Sequence, residues 1–529
     1  MNHHYGPTLS KRFSRLTLII FLLLALCAVD LPVLAKDRAC GNAAQKTAIF
    51  LESLRDQPGL LYAFLRQMPK GGDLHSHLSG AVYAESMIRW AVEDGLCIDQ
   101  KTLEATRPPC DALAGRPEAK QAFKDSVLYR STIDAWSMRN WQNSGQSGHD
   151  HFFDTFQKFD MATKKRRGDM LAEVAGRAAA GRVSYLELMF TPEGGSVGAL
   201  AARTGWDDDF GLMRSRLLAQ GMKDILAAVK NEMDRAETVM RQQLKCGDQP
   251  DPGCGVTVRY LYQVLRGMPR EVVFAQMLAG FELVAADSRF VGLNLVMPED
   301  AYVPMTDFPV QMRMLDYFHS VYPQAKLTLH GGELAPGMVP PEGLRFHVRD
   351  SVRTAHAKRI GHGVAILYEE GCFDLLREMA RREILVEIML TSNDVILGVK
   401  GKEHPLKTYI RYGVPVALAT DDEGVSRSEM TLEYQRAVAD QGLGYLQLKR
   451  MARNSLEYAF IEGASLWKDR KYTQSIAACA KDKPAANQVS NACRRFLYEN
   501  DKARLQWELE KDLADFEARA SRWDANHLP

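Results

Sequence analysis

The feature that most constrains this chain is a regular alternation of short apolar, strand-like runs with helix-like segments. Eight strand-like runs are predicted, at residues 73–78, 183–188, 256–265, 290–296, 327–330, 359–364, 384–390 and 414–419. Helix-like segments lie between the later runs, at residues 270–286, 309–322, 344–357 and 372–382. Apolar strands that alternate with helices indicate a parallel sheet, and eight units predict an α/β fold of the (β/α)8, TIM-type barrel class. A doubly wound open sheet is the alternative, but no GxGxxG follows the first strand.

Length and composition fit one large decorated domain. Of 529 residues, 46% are hydrophobic and 25% are charged, as in ordinary globular proteins. A formal net charge of +1 gives no electrostatic reason to expect nucleic acid as a partner, so a small neutral substrate is expected. We expect residues 36–529 to form one domain, with an insertion at about 97–150 and a helical C-terminal extension at about 431–529. The insertion could serve a homodimer or be surface decoration.

Residues 1–35 are predicted to be a secretory signal peptide. Lys11, Arg12 and Arg15 precede an apolar run at residues 16–29, and Val33-Leu34-Ala35 resembles a cleavage site. This run is shorter than the roughly 20 residues that cross a bilayer, so an uncleaved anchor is the less favoured alternative. We expect the mature protein to be secreted or periplasmic and not to span a membrane.

Export makes disulfide bonds plausible for the cysteines that remain after cleavage. The nearest candidate pairs, each bracketing a loop-like segment, are Cys97 with Cys110, Cys246 with Cys254, and Cys479 with Cys493. Cys40 and Cys372 remain, paired or free. No pair has CxxC spacing, so a cysteine-ligated metal is not expected.

Polar side chains are concentrated at the C-terminal ends of four predicted strands. The first strand carries two histidines, the fifth a histidine and a glutamate, the sixth a histidine and the eighth two aspartates: His75, His77, His330, Glu333, His362, Asp421 and Asp422. In a (β/α)8 barrel these ends converge at one face, where the active sites of this fold lie. Four of the thirteen histidines would therefore share one pocket with three carboxylates.

The residue types at these strand ends point to hydrolytic metal chemistry. Three imidazoles and one carboxylate suit one Zn²⁺ per chain, held by His75, His77, His330 and Asp421. A bound Zn²⁺ lowers the pKa of its water toward ~7 and supplies hydroxide. Glu333 could then donate a proton, and His362 could orient or deprotonate the water. Asp422 could hydrogen-bond the substrate, or it could cap a helix.

Five motifs, in this order, resemble the adenosine deaminase family of metal-dependent amidohydrolases: HSHLSG (75–80), TLHGGE (328–333), RIGHG (359–363), TSN (391–393) and ATDDEG (419–424). The segments MPKGGDLHSHL and VGLNLVMPED, with the signal peptide, look most like the secreted, growth-factor-related branch. The resemblance covers about residues 68–460. It implies a hydrolase of C–N bonds in cyclic amidines, which converts adenosine or a close 6-aminopurine nucleoside to inosine and ammonia.

The resemblance also implies roles for individual residues. Glu333 would protonate the purine N1, His362 would position the hydroxide that attacks C6, and Asp422 would bond N7. The other substrate contacts implied are Ser79, where the family usually has an aspartate facing the ribose, Met297, near a usual glycine, Glu299 and Gly332. The departures at Ser79 and Met297 leave open another aminated heterocycle as substrate. A non-catalytic extracellular binding protein is the third alternative.

Overall fold

The computed structural model of the protein describes residues 42–247, 249–484 and 488–523. The predicted signal peptide and Cys40 lie outside these residues. Eight parallel strands are labelled in chain order: β1 (Gly71–His77), β2 (Val183–Phe190), β3 (Thr257–Leu265), β4 (Phe290–Val296), β5 (Thr328–Gly331), β6 (Arg359–His362), β7 (Leu385–Ile388) and β8 (Val416–Leu418). Their ends differ from the predicted runs by two residues or fewer.

The eight strands close into a barrel. They form two four-stranded parallel arrays, β1-β2-β3-β4 and β8-β7-β6-β5. Two parallel bridges join the arrays, one between Leu293 and Leu327 and the other between Ser76 and Asp421. At the second seam, the His77 N–H donates to the Asp421 carbonyl and the Asp421 N–H donates to the His75 carbonyl, both at 2.9 Å. The predicted (β/α)8 barrel is confirmed.

Helices connect the strands and cover the barrel. The α-helices of the described residues are Ala43–Leu54, Pro58–Gln67, Ala84–Glu93, Ser126–Ala135, Gly148–Thr163, Arg167–Ala180, Ser196–Thr204, Phe210–Leu217, Lys223–Gln243, Arg270–Ala286, Tyr302–Val321, His347–Arg353, Cys372–Arg381, Leu390–Leu397, Leu406–Tyr412, Met430–Ala439, Tyr445–Glu457, Asn491–Glu499 and Asp501–Ala520. From the last of these, Leu505, Leu509 and Leu513 pack against Leu74 and Tyr185 of the barrel strands.

One helix begins earlier than its sequence predicts. The pattern places its start at residue 309, but the helix begins at Tyr302 and continues through Pro309. Pro304 falls in the first turn, where backbone N–H groups have no partner within the helix. Pro309 removes one hydrogen bond from the interior, while Phe308 and Leu315 of the same helix remain buried in the core.

The segment predicted as an insertion has structure of its own. It contains a two-stranded antiparallel hairpin, Cys97–Ile98 with Ala105–Thr106, and the helix Ser126–Ala135. Three disulfides join Cys97 to Cys110, Cys246 to Cys254 and Cys479 to Cys493, so the predicted pairs are confirmed. Cys372 forms no disulfide with any other described cysteine. Of the helices that the structure describes, none has both the length and the apolarity needed to cross a bilayer.

Candidate active site

A cavity of about 510 Å³ lies at the C-terminal ends of the barrel strands. It is lined by His77, Ser79, Phe152, Phe153, Phe156, Asp160, Gln263, Leu265, Val296, Met297, Pro298, His330, Glu333, Asp421 and Asp422. The volume falls within the roughly 300–1,000 Å³ of small-molecule sites. Side chains from several strands and one covering helix therefore share a single pocket.

The four predicted metal ligands meet at one side of this cavity, where β1 pairs with the end of β8. The Asp421 Oδ1 lies 3.4 Å from the His75 Nε2 and 3.3 Å from the His77 Nε2. The His330 Nε2 lies 3.2 Å from the His75 Nε2. Asp421 is shared by two groups of described residues that could hold a metal ion, His75, His330, His362 and Asp421 in one and His77, Asp421 and Asp422 in the other. We call these residues together the candidate metal centre.

Polar neighbours decide which ring nitrogens face this centre. On the outer side, the His75 Nδ1 lies 2.7 Å from Glu387 Oε2, the His77 Nδ1 2.9 Å from Gln263 Oε1, and the His330 Nδ1 3.0 Å from Asn294 Oδ1. All three neighbours are oxygen acceptors, so each Nδ1 carries a proton and each Nε2 presents its lone pair inward. The set fits a divalent cation such as Zn²⁺, which binds neutral imidazole nitrogen and carboxylate oxygen.

The charges of the cluster are consistent with a cation site. Burial disfavours a charged ring at His75, but Asp421 and Glu387 raise its pKa to about 9, so a cation at Nε2 would take the place of a proton. Burial and the nearby rings of His75 and His362 hold the pKa of His330 well below its usual value, which keeps this ligand neutral. Ser392 donates to the second oxygen of Asp421 at 2.7 Å and fixes the carboxylate.

Glu333 and Asp422 present carboxyl groups to the same cavity. Burial and the negative charges of Asp421 and Glu299 raise the pKa of Glu333 well above its usual range. Burial also raises the pKa of Asp422, whose Oδ1 has no hydrogen-bond partner among the described residues. Both carboxyl groups therefore favour the protonated form and can donate a hydrogen bond to a bound molecule. Gly80 makes room for Asp422, because a Cβ at Gly80 would lie 1.6 Å from Asp422 Oδ1.

Three residues at the strand ends that form the site have a left-handed backbone conformation. Met297, His362 and Asp421 have φ values of 91°, 65° and 61°. Such conformations cost of order 1–3 kcal/mol for residues other than glycine and cluster at functional sites. The carbonyl of Met297 accepts hydrogen bonds from Arg266 Nε at 3.2 Å and Nη2 at 3.1 Å, which hold this backbone conformation.

Glu299 and Gly332, assigned to the substrate from the sequence, are not among the residues that line the cavity, and their contact with a substrate stays a prediction. Glu299 is 2% exposed and accepts hydrogen bonds from the backbone N–H groups of Gly332, at 3.2 Å, and Glu333, at 2.6 Å. Gly332 has a φ of 71°, and a Cβ there would meet Val348 at 2.9 Å. Both residues shape the turn that carries Glu333, because their polar groups are already paired with each other.

The sequence analysis did not identify the part of the cavity wall that the helix Gly148–Thr163 forms. Phe152, Phe153 and Phe156 of this helix form an aromatic wall, and Asp160 adds a carboxylate. Ser147 caps the helix by accepting from the Asp150 N–H at 3.0 Å. The spacing of the phenylalanines is visible in the sequence, but it does not reveal that the helix covers the barrel opening.

The fold and the site define a class: a (β/α)8 barrel with a candidate metal centre and two buried carboxyl groups of raised pKa at the C-terminal face of its strands. The family model described as adenosine deaminase matches residues 132–468. The chain therefore belongs to the adenosine deaminase family.

Two individual proteins show how similar this chain is to known relatives. An adenosine deaminase of Escherichia coli (strain SE11) is 33% identical over 153 residues, which are 29% of this chain and 42% of that protein. The chain thus matches less than half the length of this curated relative. A zinc-bound amidohydrolase of Burkholderia ambifaria has 17% identity and a TM-score of 0.50, covering 76% of this chain and 88% of that chain. At that identity the likeness shows the fold alone.

Proposed function

We propose that this protein is a zinc-dependent deaminase that hydrolyses adenosine, or a close 6-aminopurine nucleoside, to inosine and ammonia. One observation carries the proposal: Glu333 and Asp422 face a single cavity that also contains the inward-pointing histidines of a cation site. Membership of the adenosine deaminase family supports the same reaction class.

Each side chain has a defined part in this reaction. When bound by His75, His77, His330 and Asp421, Zn²⁺ would acidify water and so supply a nucleophile at neutral pH. Burial and neighbouring carboxylates raise the pKa of Glu333, which favours the protonated form that delivers a proton to a ring nitrogen of the purine. Burial likewise raises the pKa of Asp422, which in its protonated form donates a hydrogen bond to N7, an acceptor. The amino group leaves as ammonia as the C–N bond breaks.

The charges of the cavity favour a neutral nucleoside over a nucleotide. Among the described residues that line it there is no lysine or arginine, and four are carboxylic acids: Asp160, Glu333, Asp421 and Asp422. A phosphate would lack a cationic partner and would face negative charge at Asp160. The aromatic wall offers a planar surface to a purine ring.

Another aminated heterocycle is the second candidate substrate. Ser79 and Met297 both line the cavity, where they replace the aspartate and glycine expected from the family resemblance. Serine can hydrogen-bond a sugar but provides no charge-assisted bond. This alternative keeps the metal centre and the proton donor and changes only the far side of the pocket.

We further propose that the protein belongs to the secreted, growth-factor-related branch and acts after export, in the periplasm or outside the cell. Three disulfides support this proposal, because such bonds persist in oxidising compartments. We also retain the prediction that residues 36–529 form a single decorated domain.

The test is a substrate panel on metal-loaded protein, comprising adenosine, other aminopurine nucleosides, adenosine monophosphate, pterins and dipeptides. We expect loss of the adenosine absorbance with stoichiometric release of ammonia. Glu333→Gln should lower kcat roughly 10²–10⁴-fold, while Glu342→Gln, an exposed control, leaves it unchanged. An active Glu333→Gln enzyme would contradict the proton donor, and a purified protein without metal or activity would favour a binding protein.

A further inference from the structure

A chain of three hydrogen bonds runs from the backbone at Leu406 to His362. The Leu406 N–H donates to the His404 Nδ1 at 3.2 Å. The His404 Nε2 lies 3.0 Å from the Asn393 Oδ1, and the Asn393 Nδ2 lies 2.9 Å from the His362 Nδ1. All three side chains are buried, with exposures of 3% for His404 and 0% for Asn393 and His362.

The Leu406 N–H determines which atom donates and which accepts in each of these three hydrogen bonds. A backbone N–H can only donate, so the His404 Nδ1 is the acceptor nitrogen. Burial lowers the pKa of His404 to about 4, and the neutral ring carries its one proton on Nε2. This proton must go to an oxygen, which places Oδ1 of Asn393 toward His404.

The NH₂ group of Asn393 is then the hydrogen-bond donor to His362. With Oδ1 facing His404, the Asn393 NH₂ faces the His362 Nδ1 and donates to it. If the Asn393 amide were reversed, its NH₂ would face His404, and both ring nitrogens of His404 would have to accept a hydrogen bond. A neutral imidazole has only one acceptor nitrogen, so this orientation is excluded. The His362 proton is therefore on Nε2, an atom that is buried and has no hydrogen-bond partner among the described residues.

We propose that His404 and Asn393 are positioning residues that hold His362 as the Nε2–H tautomer. In this form His362 donates a hydrogen bond and has no free lone pair with which to take a proton. Within the proposed function, on which this part rests, His362 orients and stabilises the reacting oxygen and is not its general base. A buried N–H without an acceptor is unfavourable, which favours binding of an oxygen at Nε2.

The direct test is the nitrogen NMR spectrum of the zinc-loaded full-length chain labelled with ¹⁵N-histidine, in which protonated and unprotonated ring nitrogens are well separated. Comparison with His362→Gln assigns the His362 signals. We expect a protonated Nε2 and an unprotonated Nδ1. A His362 with its proton on Nδ1 would overturn the proposal.

Isosteric variants then test the positioning residues. Asn393→Asp replaces the donor by an acceptor, so we expect the His362 proton to move to Nδ1 and kcat to fall roughly 10²–10⁴-fold, the range for loss of one proton-transfer or tautomer-fixing group. Asn454→Asp is the matched control, since Asn454 is a buried asparagine that bonds the Val416 carbonyl and the Tyr472 hydroxyl.

His404 offers a rescue experiment. Glutamine can accept from the Leu406 N–H and donate to Asn393, so His404→Gln should keep the tautomer and most of kcat, whereas His404→Leu should lose both. Equal kcat losses for these two variants, or an unchanged His362 spectrum in Asn393→Asp, would refute the proposal. If the spectra change as expected but no aminopurine is deaminated, the proposed function fails and the positioning of His362 stands.

Discussion

Gly361 lies directly against the imidazole of His75: a Cβ on Gly361 would come within 2.6 Å of His75 Cε1 and 2.9 Å of Nδ1. The ring cannot move away easily, because its Nδ1 is held 2.7 Å from Glu387. Arg359 and Thr328 in turn hold the other oxygen of Glu387. The absence of a side chain at Gly361, in the RIGHG motif, therefore leaves the space that the His75 ring occupies in the candidate metal site.

Gly361→Ala should weaken zinc binding. The added methyl group displaces the His75 ring and misaligns its Nε2, so we expect affinity to fall roughly 10–100-fold, as when a residue that orients a ligand is lost. Competition with a chelator measures the affinity. Gly59→Ala is the control, since nothing lies within 4 Å of a Cβ at Gly59. Unchanged zinc affinity in Gly361→Ala would show that His75 is not a ligand or that its ring adapts.

Glu299→Gln should lower kcat more than it raises KM. One of the two oxygens that accept from the Gly332 and Glu333 N–H groups becomes an NH₂, which leaves a buried donor unpaired at a cost of about 1–3 kcal/mol. The turn that carries Glu333 then loses its fixed position, while the cavity wall is unchanged. Steady-state kinetics and thermal unfolding measure the two effects.

Glu517→Gln is the control for Glu299→Gln. Glu517 is a buried carboxylate that accepts from Tyr445 and Lys449, and it does not line the cavity. We expect this variant to lose stability and to keep kcat. Equal effects of the two substitutions on kcat would mean that Glu299 acts only through the stability of the fold.

Asp160→Asn should reduce kcat/KM for nucleosides. If the Asp160 carboxylate accepts from a sugar hydroxyl, removal of its charge costs roughly 1.5–3 kcal/mol, or about 10–100-fold. The free base, which has no sugar, should be affected much less. Asp154→Asn on the same helix is the control, because Asp154 bonds Gln146 and does not line the cavity. Equal losses for nucleoside and base would exclude a sugar contact.

Glu369→Gln should remove one source of instability at alkaline pH. Burial raises the pKa of Glu369 to about 8, and its Oε1 accepts from the Val348 N–H at 2.6 Å. Because the folded pKa lies above the unfolded value, folding keeps a proton that the unfolded chain loses, so stability falls as pH rises from about 4.5 to about 8. The neutral glutamine has no such dependence.

Denaturant unfolding of wild type and Glu369→Gln at pH 5 and pH 8 measures this effect. We expect the stability of the variant relative to wild type to increase by a few kcal/mol, as an order of magnitude, between the two pH values. Glu370→Gln is the control, because the adjacent Glu370 side chain is 67% exposed. A constant difference between Glu369→Gln and wild type would contradict the raised pKa.

Local signals were strong enough to predict the barrel strands and the residues at their ends. Runs such as 290–296 are mostly apolar, as expected of strands buried on both faces, and β4 has these bounds. His75 and His77 stand two apart, so on a strand they share a face. Parallel order alone then brings these residues to the same end of the barrel as His330 and Asp421.

The limits of the sequence are clearest at Glu299 and in the helix Gly148–Thr163. Glu299 follows the end of β4 as a site residue would, but its carboxylate turns back to the N–H groups of Gly332 and Glu333. The phenylalanines of the helix have an ordinary apolar spacing, and the helix is tied to the loop after β4 by His149, whose Nε2 lies 3.1 Å from Asp300 Oδ1. Neither contact joins neighbours in the chain.

The sequence by itself determined the barrel and the residues that converge at the strand ends, because strand periodicity and strand-end position are local properties. It offered the three disulfides only as candidate pairs, and the structure established them. Only the tertiary structure decided which polar groups are free to act. Among the described residues, the His362 Nε2 has no hydrogen-bond partner and Asn393 donates to its Nδ1, whereas Glu299 is engaged by the Gly332 and Glu333 N–H groups and by the His347 ring. Hydrogen-bond partners that are far apart in the chain set these outcomes, and no local pattern encodes them.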